Sequence, residues 1–405
     1  MQGDRLCEKC GQLVPRGVPD CPMCANPLGF NLRRETLLLL TGIVVALLFG
    51  VTGIAVKQFH ARERELGQKW YQKGEAMLAR NDPASAVTDF RTALFHAEGN
   101  PLYELRLAQA LVVLGHETEA RTYLMRLWQR NPADGAVNLE LARLAVRTGN
   151  APDVINYYHN AIDGVWPAGS NINRFALRRD LCEYLIDHGQ RSQALAELMA
   201  LSSQTPNDSF LLTQVASLFL KSEDYDSALN EFLRSLRLNR HQPAAWAGAG
   251  KAAYLMGDYR AARRYLAYAV AYNPQNRESA QMEALASGVI EINPFDRRVP
   301  MVTRRRRAIV AFQAALARLK SCAAIRHDHP DVANPQTDPE KLYAVALKMK
   351  PQMTEASLRH NPDLLDSGMS LVFQMERAAA SACGPPPILL DQALLLIAQR
   401  FGGAD

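Results

Sequence analysis

Net charge is nearly absent from this chain of 405 residues: 46 lysines and arginines stand against 41 aspartates and glutamates, a balance of +5. So small an excess over such a length gives no reason to expect nucleic acid as a partner. Catalytic signatures are missing as well. There is no phosphate-binding loop, no G-x-S-x-G elbow, no H-E-x-x-H pair and no dinucleotide fingerprint. Acidic residues are scattered as helix-surface charge pairs would have them, and an enzyme is not expected. Cysteine is rare after residue 24: four of the seven lie within the first 24 residues, which leaves Cys182, Cys322 and Cys383. Charge disappears entirely from residues 36–56.

That uncharged run is rich in Leu, Ile, Val, Ala, Gly and Phe. As a helix it would rise about 31 Å, enough for a hydrocarbon core of about 30 Å. A transmembrane helix over 36–56 is therefore expected. A cleaved signal peptide is the rival, since Gly53-Ile54-Ala55 loosely resembles a cleavage site, but the run is too long for an h-region. Arg33 and Arg34 flank one side and Lys57, Arg62 and Arg64 the other, so the positive-inside count does not set orientation. Gly42, Ala46 and Gly50 recur at four-residue spacing, which allows a close helix–helix approach and a possible homodimer.

Cys7-Glu8-Lys9-Cys10 and Cys21-Pro22-Met23-Cys24 form two C-x2-C pairs ten residues apart. Two thiolate pairs on two tight turns can complete a tetrahedral zinc site, and so short a segment needs metal to fold. Residues 1–30 resemble the short bacterial zinc-ribbon family. Gly11 keeps the glycine that follows the first pair in that family, whereas Ala25 replaces the second. Thiolate ligands survive in a reducing compartment. The N-terminus is therefore expected in the cytoplasm and the bulk of the chain outside it, at a plasma (inner) membrane with the repeats in the periplasm.

Beyond the apolar run the sequence repeats with a period of 34 residues, at Gly67, Pro101 and Gly135, and again at Phe175, Ser209 and Pro243. Within the units small residues recur at positions 8, 20 and 27, and large ones at 24. Examples are Gly74, Ala86, Phe90 and Ala93, or Gly250, Ala262, Leu266 and Ala269. Prolines such as Pro132, Pro206 and Pro274 follow the second helix. The stretch Trp166 to Ser170 lengthens one connection and breaks the phase. Residues 67–292 resemble the tetratricopeptide-repeat (TPR) family. The resemblance implies about six helical hairpins in a superhelix, with Arg277 to Ile292 as a solvating cap. Cys182 falls at position 8 of the fourth unit, where a small buried residue belongs.

In that family the first helix of each unit lines a concave groove through positions 2, 5, 9, 12 and 13. Carried over, the groove includes Tyr71, Leu105, Gln109, Leu139, Arg143, Arg147, Arg179, Lys221, Lys251 and Tyr254. Cations slightly outnumber Glu75, Glu183 and Asp187, so an acidic peptide partner is expected. The paired asparagines of the carboxylate-clamp members are missing.

Past Asn293-Pro294 the period stops. A helical C-terminal domain over 297–405 is expected, opening with Arg297, Arg298 and Arg304 to Arg307. Cations at a helix start oppose its dipole, which suggests an anionic partner such as lipid headgroups. Cys322 and Cys383 end two expected helices. If the region lies outside the cytoplasm they are expected to be bridged, which would be worth about 4 kcal/mol in the chain-entropy model. His327-Asp328-His329 offers little as a metal site. The chain thus reads as an all-α, membrane-anchored TPR scaffold for cell-envelope complexes. The alternative is a transmembrane signalling link whose zinc ribbon recruits a cytosolic partner.

Overall fold

The computed structural model of the chain describes residues 4–26, 32–167, 170, 172–327 and 339–401. Asp328, His329 and the side chain of His327 lie outside the described residues. The chain divides into two compact units, residues 1–166 and 167–405. The division falls where the lengthened connection interrupts the repeat period.

The first unit opens with two short antiparallel strands, β1 (Arg5–Leu6) and β2 (Leu13–Val14). Helix α1 (Leu32–Ala79) follows and is 48 residues long, about 72 Å at 1.5 Å per residue. Two helices were expected here, one across the membrane and one opening the first repeat. They are one uninterrupted helix, because no proline or turn-forming cluster separates residues 56 and 67. Its N-terminal part is long and apolar enough to cross a membrane, and Leu37 to Leu40, Ile43 and Phe49 are exposed. Its C-terminal part is docked: His96 and Glu63 meet at 2.7 Å, and Gly67 lies close to Ala93 of α2 (Pro83–His96) and to Ala97 just past its end.

Two hairpins complete the unit, α3 (Pro101–Val113) with α4 (Glu117–Arg130) and α5 (Gly135–Thr148) with α6 (Ala151–Asp163). The end of the unit turns back on itself. Val165 bridges Ala133 and Gly135, and the Trp166 indole N–H donates to the Ala161 carbonyl at 2.9 Å.

The second unit has three more hairpins: α7 (Arg174–Asp187) with α8 (Arg191–Gln204), α9 (Ser209–Lys221) with α10 (Tyr225–Leu238), and α11 (Pro243–Met256) with α12 (Tyr259–Tyr272). Asn and Asp residues start most of these helices. Asp82, Asn100, Asp134, Asn173, Asp208, Asp224 and Asp258 each accept from a backbone N–H one turn on, a contact worth about 1 kcal/mol per cap. Gly149 and Gly257 end α5 and α11 in the left-handed conformation. The fold is all-α and of the TPR type, with six hairpins.

In the first and sixth hairpins position 8 meets position 24. A Cβ on Gly74 would stand 2.6 Å from the buried Phe90 ring, and one on Gly250 would stand 2.5 Å from Leu266. Cys182 is fully buried in the core with Leu198, and burial pushes its thiol up to about 12.

Helix α13 (Arg277–Ile292) follows the sixth hairpin. It was expected to face water on its outer side. Instead Val289 and Ile292 are buried in one core with α14 (Met301–His327), α17 (Asp363–Cys383) and α18 (Leu389–Phe401). Between these run α15 (Pro339–Met349) and the short α16 (Glu355–His360). The arginines opening α14 are partly absorbed by this packing. Arg307 donates to the Asn293 carbonyl at 2.9 Å and Arg304 to that of Pro294 at 2.7 Å. They thus sit just past the C-terminal end of α13, where a helix dipole favours cations.

Within this core Cys322 meets Cys383, their sulfurs at bonding distance and their Cα atoms 5.8 Å apart. Beside them Arg318 binds the fully buried Glu376 and the Gly384 carbonyl.

Two outcomes follow from this packing. Gly74→Ala should cost about 1–3 kcal/mol through overpacking against Phe90, read as a lower thermal midpoint by circular dichroism. Burial pushes Glu376 up to about 7 despite Arg318. The native state therefore holds this proton more tightly than the unfolded chain. The resulting stability is complete below the unfolded carboxyl's range and is lost as pH rises through about 7. Glu376→Gln should flatten that decline in melts between about pH 5 and about pH 8; an unchanged profile would remove Glu376 from the account.

Candidate metal centre and partner groove

The N-terminal strands position two matching turns. The Gly11 N–H donates to the Cys7 carbonyl and the Ala25 N–H to the Cys21 carbonyl, each at 2.8 Å. The amides of Cys7 and Cys21 donate forward to Gln12 and Asn26, at 2.8 and 2.9 Å. Each turn closes through a positive φ, +71° at Gly11 and +50° at Ala25. All four thiols converge. Cys7 and Cys24 sulfurs are 3.6 Å apart, those of Cys10 and Cys21 are 3.5 Å apart, and all four lie within 4.8 Å of one another. The backbone N–H groups of Lys9 and Cys10 draw the Cys7 thiol down to about 6, whereas Cys10 is pushed up to about 12 and Cys24 is also raised, as thiols that share hydrogen bonds at such short range do not all ionise together without a cation between them. Val14 and Val18 pack beneath the cluster and shield it on one side. This sulfur set could hold a metal ion.

The groove residues are described unit by unit. In the first unit none of the six is buried. Tyr71 stacks on Tyr103 at 4.8 Å, and burial raises its phenol above the ordinary range. Gln109 and Arg143 belong to a polar ladder that runs along α1, α3 and α5. Glu75 is bound by Arg106, whose Nη1 donates to Gln109 Oε1 at 2.7 Å. Gln109 Nε2 then donates to Glu140 at 2.9 Å, and Arg143 donates to the same carboxylate at 2.9 Å. Position 9 of one repeat thus meets position 6 of the next. Leu105 and Leu139 are half-buried on the same helices. Arg147 turns elsewhere, to Glu117 at 2.9 Å and the Val112 carbonyl at 3.0 Å.

In the second unit Arg179 is matched by Asp180 at 2.8 Å and Glu183 at 3.9 Å, and Lys251 by Glu278 at 2.7 Å. Tyr254 meets Tyr259 edge-on at 5.4 Å, and burial pushes its phenol up to about 12. Lys221 is exposed at the end of α9. The excess of cations counted along the groove is therefore largely offset by neighbouring carboxylates. Sequence reasoning passed over Arg106 and Glu140 because position 6 is outside the groove set. The signal available was the recurrence of polar pairs 31 residues apart, Glu75 with Arg106 and Gln109 with Glu140.

No protein-family profile matches the chain, and no curated protein matches it. Solved structures do align. The C-terminal part of a TPR repeat-containing protein from Cytophaga hutchinsonii is 15% identical, with 59% of this chain and 92% of that one covered, at a TM-score of 0.43. YrrB, described as a TPR protein with an unusual peptide-binding site, is 15% identical over 47% and 95% of the two chains, at 0.37. PilW, a type IV pilus biogenesis factor, is 17% identical over 53% and 96%, also at 0.37. Similarity at this level extends to helical repeats and carries no argument about function.

Ala25 holds a backbone conformation that costs a residue with a Cβ about 1–2 kcal/mol. Ala25→Gly should relieve most of that cost and tighten metal binding about fivefold, measured by chelator competition with Zn2+; weaker binding would mean that the Ala25 methyl is needed.

Proposed function

We propose that this protein is a single-pass membrane scaffold whose helical repeats bind other proteins during assembly of cell-envelope complexes. The observation that carries the reading is the continuity of α1. One helix holds an uncharged run of bilayer length and, without a break, forms the first helix of the first repeat. A segment destined for cleavage would not be expected to continue into a packed repeat element.

The four cysteines favour zinc. Tetrahedral thiolates at about 2.3 Å from Zn2+ stand about 3.8 Å apart, close to the two short separations found between the paired sulfurs. Such a site would be structural, since four thiolates leave no open position for chemistry. In this reading the ribbon lies in the cytoplasm, residues 36–56 cross the inner membrane, and the repeats lie outside. The pairing of Cys322 with Cys383 fits an oxidising compartment. No observation favours catalysis, and the repeats are read as a binding surface.

Reporter fusions to the C-terminus, one active only in the cytosol and one only beyond the membrane, test the arrangement. Activity of the outer reporter, with the chain in the membrane fraction, is expected. Activity of the cytosolic reporter would reverse the orientation and make the Cys322–Cys383 bridge incompatible with its compartment. Removal of residues 1–30 separates scaffold from signalling link: a scaffold keeps its function, whereas a link loses it.

A further inference from the structure

The groove's charges are largely spoken for, but another surface of the repeats is not. Between α10 and α12 lies a hollow of about 470 Å³. Leu233 and Leu236 of α10 form one wall and Tyr268 and Tyr272 of α12 the other, with Trp246 at the head of α11 between them. The indole stacks on Tyr268 at 4.6 Å, and its N–H is already committed to the Arg240 carbonyl at 2.8 Å. The aromatic faces are therefore fixed by internal contacts. Tyr268 and Tyr272 remain 48% and 41% exposed, so a packed apolar site stands open to solvent.

Its rim is cationic. Arg237 and Arg240 line the hollow, and among the described residues neither is paired with a carboxylate. Helices α11 and α12 contain no acidic residue at all. In α10, Glu231 is engaged by Ser202 and Arg234. This differs from the groove, where Arg143, Arg179 and Lys251 each have an anionic neighbour. A volume of this size accepts one or two large side chains. Fixed aromatic faces beside arginines are also the composition from which interface hot spots are built.

We infer that the hollow between the second helices of the fifth and sixth repeats docks an acidic peptide segment. An apolar side chain of that segment enters between Leu233, Trp246 and Tyr272, and flanking carboxylates meet Arg237 and Arg240. The inference rests on the protein-binding reading above and supplies the chemistry of one partner. It also moves the acidic-partner expectation from the first helices of the repeats to the second.

The test is an array of synthetic dodecapeptides probed with the detergent-solubilised full chain. Each peptide carries one Phe, Leu or Trp flanked by two, one or no Asp or Glu residues, with lysine-flanked controls. Expected is retention of the doubly acidic peptides. Their affinity should fall at least about tenfold in Arg237→Ser/Arg240→Ser. Tyr272→Ala should weaken the same peptides, Arg359→Ser on the exposed surface of α16 should leave them unchanged, and raising salt from about 0.05 M to about 0.5 M should release them. Unaltered melting curves would confirm that these surface variants fold. Peptides retained equally by wild type and both hollow variants would overturn the inference and leave the scaffold reading standing. Retention of no peptide by any form would count against both.

Discussion

Each hairpin of this protein depends on two helices crossing more closely than ordinary side chains permit. The crossing is made by a small residue at position 8 lying under a large one at position 24, Gly74 under Phe90 and Gly250 under Leu266, and Ala108, Ala142, Cys182 and Ala216 are fully buried at the same position of the other units. Interiors are packed at crystal-like density, so a single added methyl at such a point must displace a ring or a backbone. Close crossing then sets everything local. It fixes which residues of the first helix reach the next repeat, and so aligns Glu75 with Arg106 and Gln109 with Glu140. It also sets the spacing of successive second helices, which opens the hollow beside Trp246.

Much of this was legible in the sequence because steric constraints leave compositional marks. A glycine or alanine recurring every 34 residues opposite a large apolar residue is the mark of a close helix crossing. The four N-terminal thiols were equally legible, since C-x2-C spacing puts both sulfurs of a pair on one turn. What escaped was whatever depends on a neighbour far along the chain. The outer face of α13 gave no sign that α18 would cover it, because an apolar stripe looks the same whether a cap or a further layer meets it. The arginines at the start of α14 looked misplaced against their own helix dipole. They make sense only once the preceding helix end is seen beneath them.

Charge counting along the expected groove is incomplete for a related reason. A tally of cations at given positions does not say which carboxylates their side chains can reach. Arg143 and Arg179 are long enough to find partners within their own helices, and the resulting pairs leave little field for a distant ligand to sense. Unpaired cations are found instead where the helices carry almost no acid, beside aromatic rings already held by stacking. Electrostatic recognition is better located by the absence of carboxylates over several turns than by the presence of arginines.

The uninterrupted course of α1 has a mechanical consequence. From the end of the uncharged run at residue 56 to the Glu63–His96 contact is about 10 Å of helix, with no flexible joint between. An α-helix of that length resists both bending and twisting. If residues 36–56 lie in a bilayer, the first three repeats cannot swivel freely above it. Their compass heading is tied to that of the buried segment, and any rotation of one is inherited by the other. A partner would then meet a surface already aimed, and much of the orientational entropy of docking would be spent before the encounter begins.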